Sequence, residues 1–194
     1  MSPAANPTQR REQPAHDIPA PDIDVQSIRQ RARQDIETGA VTPGYQANPE
    51  AVIRLLNEAL ATEIVCVLRY RRHHFMAQGI LSEPVAAEFM EHAVQEQEHA
   101  DSIAERIVQL GGAPDFNPQT LADRSHAEYV EADSLSDMIK ENLVAERIAI
   151  ESYRAMIRFI ADQDPTTRRM LEEILAVEEE HAEDLSSLMQ GVIK

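Results

Sequence analysis

Tryptophan is absent from this chain, cysteine occurs once, and only six glycines are spread over 194 residues. The single thiol, Cys66, excludes an internal disulfide and any cluster of cysteine ligands on a metal. Its apolar neighbours suggest packing rather than reactivity. Aromatic residues are scarce, while Ala, Glu, Leu, Ile and Arg are abundant, a balance that favours helix over sheet. No apolar run is long enough to span a bilayer, and the N-terminus lacks the basic-then-apolar pattern of a signal peptide. A cytoplasmic setting without membrane contact is therefore expected. Excess positive charge is missing too. At a formal net charge of −16, nucleic acid is not an expected partner, because phosphate binding needs a basic face. The same charge suits a protein that draws in cations and repels its own copies enough to stay in solution.

The chain divides into an extension at 1–47, a helical body at 48–190 and a short tail at 191–194. The extension holds six of the eleven prolines, and residues up to about 25 are expected to be extended or disordered. Ser27 is expected to cap a short helix over Ile28 to Thr38, ended by Gly39. Five arginines oppose six acids in the extension, so nearly all the negative charge belongs to the body. A solvated tail is expected there.

Four long helical patterns follow. Asn48 caps the first, with Pro49 in its opening turn, and it runs to about Gln78. The second starts near Ser82-Glu83-Pro84 and stops at Gly111-Gly112. The third begins near Ser134 to Ser136. The fourth uses Asp164 as cap and Pro165 at its first position, and runs to about Gln190. Short links make each consecutive pair an antiparallel hairpin. Between the pairs, Gly111 to Asp133 is long enough to cross the length of a bundle. The expected fold class is all-α: a four-helix bundle of two hairpins joined by one long crossover.

The two halves repeat a pattern. Leu60-x-x-Glu63 is followed seven residues on by Tyr70, and Leu143-x-x-Glu146 seven residues on by Tyr153. Glu96-Gln97-Glu98-His99 returns as Glu178-Glu179-Glu180-His181. On a helix, a Glu and a His three residues apart project from one face. Here that face is apolar: Phe89, Ala93, Ala100, Ile103 and Ile107 share it in one copy, Leu171, Ile174, Leu185 and Leu188 in the other. An ionisable group there is costly unless paired or metal-bound. Six residues, Glu63, Glu96, His99, Glu146, Glu178 and His181, thus point inward in two-fold register. This is the constellation of di-iron and di-manganese carboxylate bundles. Four carboxylates also offset two divalent cations while both imidazoles stay neutral. Glu91, Glu98, Glu179 and Glu180 read as solvated acids. Arg69-Tyr70-Arg71-Arg72-His73-His74-Phe75 reads as a basic helix end, favourable with the helix dipole. His16, His92 and His126 have no motif and receive no role.

On these motifs the segment 48–190 resembles bacterioferritin and the wider ferritin-like superfamily, including Dps-like mini-ferritins. Leu56 to Glu63 resembles the first bacterioferritin helix, Glu96 to Asp101 the second-helix motif, and Gly111-Gly112-Ala113-Pro114 the turn after it. The resemblance implies two iron ions per subunit, manganese being the alternative metal. Glu63 and Glu146 would be terminal ligands, Glu96 and Glu178 bridges, and His99 and His181 would each complete one metal. Tyr70 matches the tyrosine beside the di-iron centre, and Tyr153 is its counterpart by internal symmetry. Gln97 stands where a haem-binding Met would be, so no haem is expected by that route. The short fifth helix of larger cages has no counterpart after Gln190, which favours a homo-oligomeric shell of twelve subunits. The implied activity is ferroxidase: Fe(II) is oxidised by O₂ or H₂O₂ and Fe(III) is sequestered. The alternatives are a manganese-catalase-like or peroxidase enzyme on the same ligands, or a non-catalytic helical oligomer with a vestigial site.

Overall fold

Helix signals in the sequence and helices in the structure coincide closely along the body of the chain. The computed structural model describes residues 22–80 and 82–192. The run up to residue 21, expected to be extended, lies outside the described residues, as do Ile193 and Lys194. Among the described residues there is no strand. Short α1 (Val25–Arg31) and a 3₁₀ turn (Ile36–Thr38) precede the long helices α2 (Pro49–Met76) and α3 (Ser82–Gln109). A single helical turn, α4 (Leu121–Arg124), interrupts the crossover before α5 (Leu135–Ile160) and α6 (Pro165–Val192).

The caps explain the boundaries. Asn48 accepts from the Ala51 N–H, Ser134 from the Asp137 N–H and Asp164 from the Thr167 N–H, each satisfying a donor that a helix N-terminus leaves free. At the end of α3, Gly111 takes φ +82, and the Gly112 N–H returns to the Ile107 carbonyl at 2.9 Å. A Cβ on Gly112 would fall 2.8 Å from Ile53, so the second glycine lets the turn close against α2.

The extension departs from expectation. A single Ser27-capped helix over Ile28 to Thr38 does not form. Asp24 is the cap instead, accepting from the Gln26 and Ser27 N–H groups and from the Ser27 hydroxyl. α1 stops at Arg31, and Asp35, at φ 48, breaks the path before the 3₁₀ turn. A carboxylate that can hold two N–H groups and a hydroxyl outcompetes a serine three residues later. The extension also docks at its C-terminal end: Tyr45 Oη donates to Asp164 Oδ2 at 2.7 Å. Asp164 meets Arg106 at 2.9 Å as well, joining the extension, α3 and the start of α6.

Each hairpin is antiparallel, and α5 runs antiparallel to α2, since Arg69 meets Asn142 and Glu63 meets Tyr153. The crossover climbs α2 by side-chain rungs. Asn57 bonds Ala113 and Asp115, Thr62 accepts from the His126 N–H, Arg69 donates to the Glu128 carbonyl, and His73 lies 3.0 Å from the Val130 carbonyl. The basic helix end is therefore divided. Arg69 and His73 are buried under the crossover, while Arg71 stays exposed. Two apolar clusters fill the interior. One, around Leu56, Leu60, Ile103, Ile107, Ile160 and Leu171, occupies one end of the bundle. The other, around Val85, Phe89, Met138, Ile139 and Leu185, occupies the opposite end. Between them lies a polar layer.

Candidate metal centre

All four long helices enter that layer. α2 supplies Glu63, α3 supplies Glu96 and His99, α5 supplies Glu146, and α6 supplies Glu178 and His181, every one buried. Burial follows from register, because each of these residues takes the place of an apolar side chain on an inward stripe.

Two overlapping donor sets result. One comprises Glu63, Glu96, His99 and Glu178; the other comprises Glu96, Glu146, Glu178 and His181. His99 Nδ1 lies 3.1 Å from Glu178 Oε1, 3.3 Å from Glu63 Oε2 and 3.5 Å from Glu96 Oε2. His181 Nδ1 lies 3.6 Å from Glu96 Oε1, 3.7 Å from Glu178 Oε2 and 3.8 Å from Glu146 Oε2. Glu96 and Glu178 each turn one oxygen to either set, the geometry of a bridging carboxylate. Separations of this size are the edges of a coordination shell with bonds of about 2.0–2.2 Å.

A metal pair fits these residues on the structure's own terms. Glu63 Oε2, Glu96 Oε1, His99 Nδ1, Glu146 Oε2, both Glu178 oxygens and His181 Nδ1 are buried without a hydrogen-bond partner. Buried polar atoms are ordinarily satisfied, so seven orphans in one layer are what a site able to hold cations would present. Their lone pairs converge on common points instead of aligning with one another.

Neighbouring groups fix the donors. Tyr70 Oη donates to Glu146 Oε1, and Tyr153 Oη donates to Glu63 Oε1, leaving the Oε2 atom of each carboxylate as the free donor. His181 Nε2 lies 2.8 Å from Gln95 Oε1. That amide oxygen accepts the Nε2 proton and keeps the Nδ1 lone pair turned inward, a support common behind metal-binding histidines.

The electrostatics show how strongly the layer demands positive charge. Burial, then the charge of Glu96, pushes the Glu63 carboxyl up to about 8. Burial and the charges of Glu63 and Glu146 raise Glu178 likewise. Burial alone would also raise Glu146, but the nearby His181 and Glu178 and the hydrogen bond from Tyr70 hold it below the usual carboxylate range. Burial opposes charge on His99, yet Glu178, Glu63 and Glu96 together drive it up to about 12, and His181 follows to about 12 beside Glu146, Glu178 and Glu96. Protons gather where divalent cations would neutralise the same carboxylates.

Sequence reasoning missed two residues here. His92 is buried, stacks on His181 with ring centroids 3.9 Å apart, and lies 3.2 Å from Tyr70 Oη through Nδ1. Burial, then His181, pushes it down to about 4. Its place one turn before Glu96, on the same helix face, was the available signal. Gln95, which drew no attention in the sequence, is the other. Cys66 is buried, as its apolar neighbours suggested, and burial pushes its thiol up. His126 lies at the crossover, 3.7 Å from Glu58.

Comparison with known proteins agrees on fold and family. The family model of the ferritin-like domain matches residues 53–192. A bacterioferritin from Mycobacterium avium is 30% identical over 145 residues, covering 75% of this chain and 87% of its own length. Among solved structures, the bacterioferritin-related protein of Bacteroides fragilis, described as a dodecameric thioferritin, superposes with a TM-score of 0.74 at 30% identity. It covers 76% of this chain and 89% of its own. The bacterioferritin of Desulfovibrio desulfuricans, described with a diiron site in different catalytic states, reaches a TM-score of 0.66 at 25% identity. That match covers 74% of this chain and 81% of the other.

Proposed function

Because the chain belongs to the ferritin-like domain family, we propose that its polar layer is a ferroxidase centre that binds two Fe(II) as substrate and passes on Fe(III) for sequestration. The observation that carries this reading is the pair of donor sets sharing Glu96 and Glu178, with seven buried atoms free to ligate.

Each residue has a part. Glu63 and His99 hold one ion, Glu146 and His181 the other, and Glu96 and Glu178 join them. Four carboxylates match the four positive charges of two Fe(II), so both imidazoles must lose their extra proton as iron enters. Carboxylates then favour the higher charge of Fe(III), which lowers the cost of giving up an electron. Two Fe(II) supply two electrons. H₂O₂ takes them up with two protons to give two waters, and O₂ takes them up with two protons to give H₂O₂. Tyr70 and Tyr153 fix the terminal carboxylates, and Tyr70 stands where a further electron would be drawn. The net charge of −16 concentrates Fe(II) around the molecule. The thioferritin relative is described as a dodecamer, which supports a closed twelve-subunit shell for this chain.

Stopped-flow oxidation of Fe(II) tests the reading. Wild type is expected to oxidise two Fe(II) per chain in a fast phase with O₂ or H₂O₂. Glu63→Ala with Glu146→Ala is expected to slow that phase at least tenfold while circular dichroism stays helical. Undiminished oxidation by the double variant would reject the centre. Oxygen evolution from H₂O₂ without net iron oxidation would assign the residues to peroxide dismutation instead.

A further inference from the structure

A third group of ligand-type side chains lies beside the dinuclear layer and is used by none of the steps above. Glu88 and His92 stand one turn apart on α3, and Asp184 faces them from α6. His92 Nε2 lies 3.4 Å from Glu88 Oε1 and 4.0 Å from Asp184 Oδ2, hydrogen-bonded to neither.

The hydrogen-bond chain decides what that nitrogen carries. Tyr70 Oη gives its proton to Glu146, so toward His92 it can only accept. His92 Nδ1, 3.2 Å away, is therefore the protonated nitrogen. Nε2 is then the ring nitrogen turned to the two carboxylates, and it has no hydrogen bond with either. The ring cannot turn away, because it is 2% exposed, stacked on His181 and set edge-on to Tyr70. Three convergent acceptors of one nitrogen and two oxygens are the donor set of a borderline divalent ion. At 3.4 Å the spacing to Glu88 is already that of a coordination edge, whereas Asp184, at 4.0 Å, must move in by about half an ångström or more. Glu88 and Asp184, with side chains 31% and 45% exposed, have the freedom to close that gap.

We propose that Glu88, His92 and Asp184 form a third cation site, which takes divalent ions of the Fe(II), Mn(II) and Zn(II) class at the surface of the α3–α6 groove. The two carboxylates face solvent, whereas the imidazole stacks on a ligand of the inner pair. The site thus stands between bulk water and the dinuclear layer. An ion held there sits at the edge of the ring that stacks on His181 and is coupled to Glu146 through Tyr70. It serves as a staging post for cations moving inward.

Zn(II) is the probe, because it binds without redox change. Metal-free protein is titrated calorimetrically, and crystals grown with Zn(II) are measured for anomalous scattering. Wild type is expected to hold three ions per chain, with one anomalous peak among Glu88, His92 and Asp184. The Glu88→Gln/Asp184→Asn double variant is expected to hold two, and binding of the third to weaken at least tenfold. Two ions per chain in wild type, both in the inner layer, would overturn the third site and leave the ferroxidase reading standing. Three ions retained by the double variant would overturn it as well. One ion at Glu88 and Asp184 with none in the inner layer would support the third site and reject the dinuclear one.

Discussion

Glu63 shows what a single misplaced polarity does. Its carboxyl moves from an ordinary 4.5 up to about 8 in the fold, so the folded chain keeps a proton that the unfolded chain releases. The stability this provides is complete below about pH 4.5 and is lost as pH rises through about 8. Glu178 moves in the same direction, and the raised histidines lose their contribution only above the ordinary histidine value of 6.5. Glu146, lowered, contributes above its unfolded value and is lost only in acid. Metal-free protein is thus expected to lose stability between about pH 5 and 8, at roughly 1.4 kcal/mol per pH unit for each group titrating. Scanning calorimetry should show Tm falling across that range, by about 2–4 °C per kcal/mol. Mn(II) should raise Tm more at the upper end than at the lower. Glu63→Gln should flatten the slope, which separates the site from general repulsion among surface acids. A Tm that holds steady or climbs across the range would contradict the assignment. The six inward residues were legible because each interrupts an apolar stripe. His92 and Gln95 were not, because their roles depend on Tyr70 and His181, which come from other helices.

At the scale of elements, Ala161 ends α5 at φ 47 and ψ −128, a sparsely populated conformation that costs a residue with a Cβ about 1–3 kcal/mol. The carbonyl of Ile157 is capped by the Ala161 N–H, and the short link must turn at once to reach Pro165. Ala161→Gly is expected to stabilise the protein by about 1 kcal/mol, seen as a rise in Tm or in the urea midpoint without a change in slope. A drop in either would show that the turn tolerates alanine without strain. Long helices were readable in the sequence because caps and prolines mark their starts. The crossover was read correctly as a connection, but its path was not. Arg69 and His73 look like a charged helix end until the crossover backbone lies over them, since the carbonyls they meet are some sixty residues downstream. A separation twice as long, 119 residues, hid Tyr45, whose partner Asp164 reads locally only as a helix cap.

For the whole molecule, the test is size. Light scattering on metal-loaded protein is expected to give a particle of about twelve chains, the state described for the thioferritin relative. A dimer or monomer at micromolar concentration would leave the centre intact but remove the container. The helical layering was legible because spacing within one chain determines it. The faces that join subunits were not, because an exposed apolar residue such as Leu68, Phe75 or Phe159 looks the same whether water or a copy covers it. The two tyrosines carry a different message. Tyr70 of the first hairpin serves Glu146 of the second, and Tyr153 of the second serves Glu63 of the first. Such reciprocal exchange is the mark of an isologous interface, normally found between two identical chains. Cut at the crossover, the bundle becomes two similar half-length hairpins, each bringing three of the six ligands. The fold is in effect a dimer written into one polypeptide. Its interior is an interface that one chain keeps permanently closed, and the two halves need not match at every position: His92 stands where the repeat has Ile174.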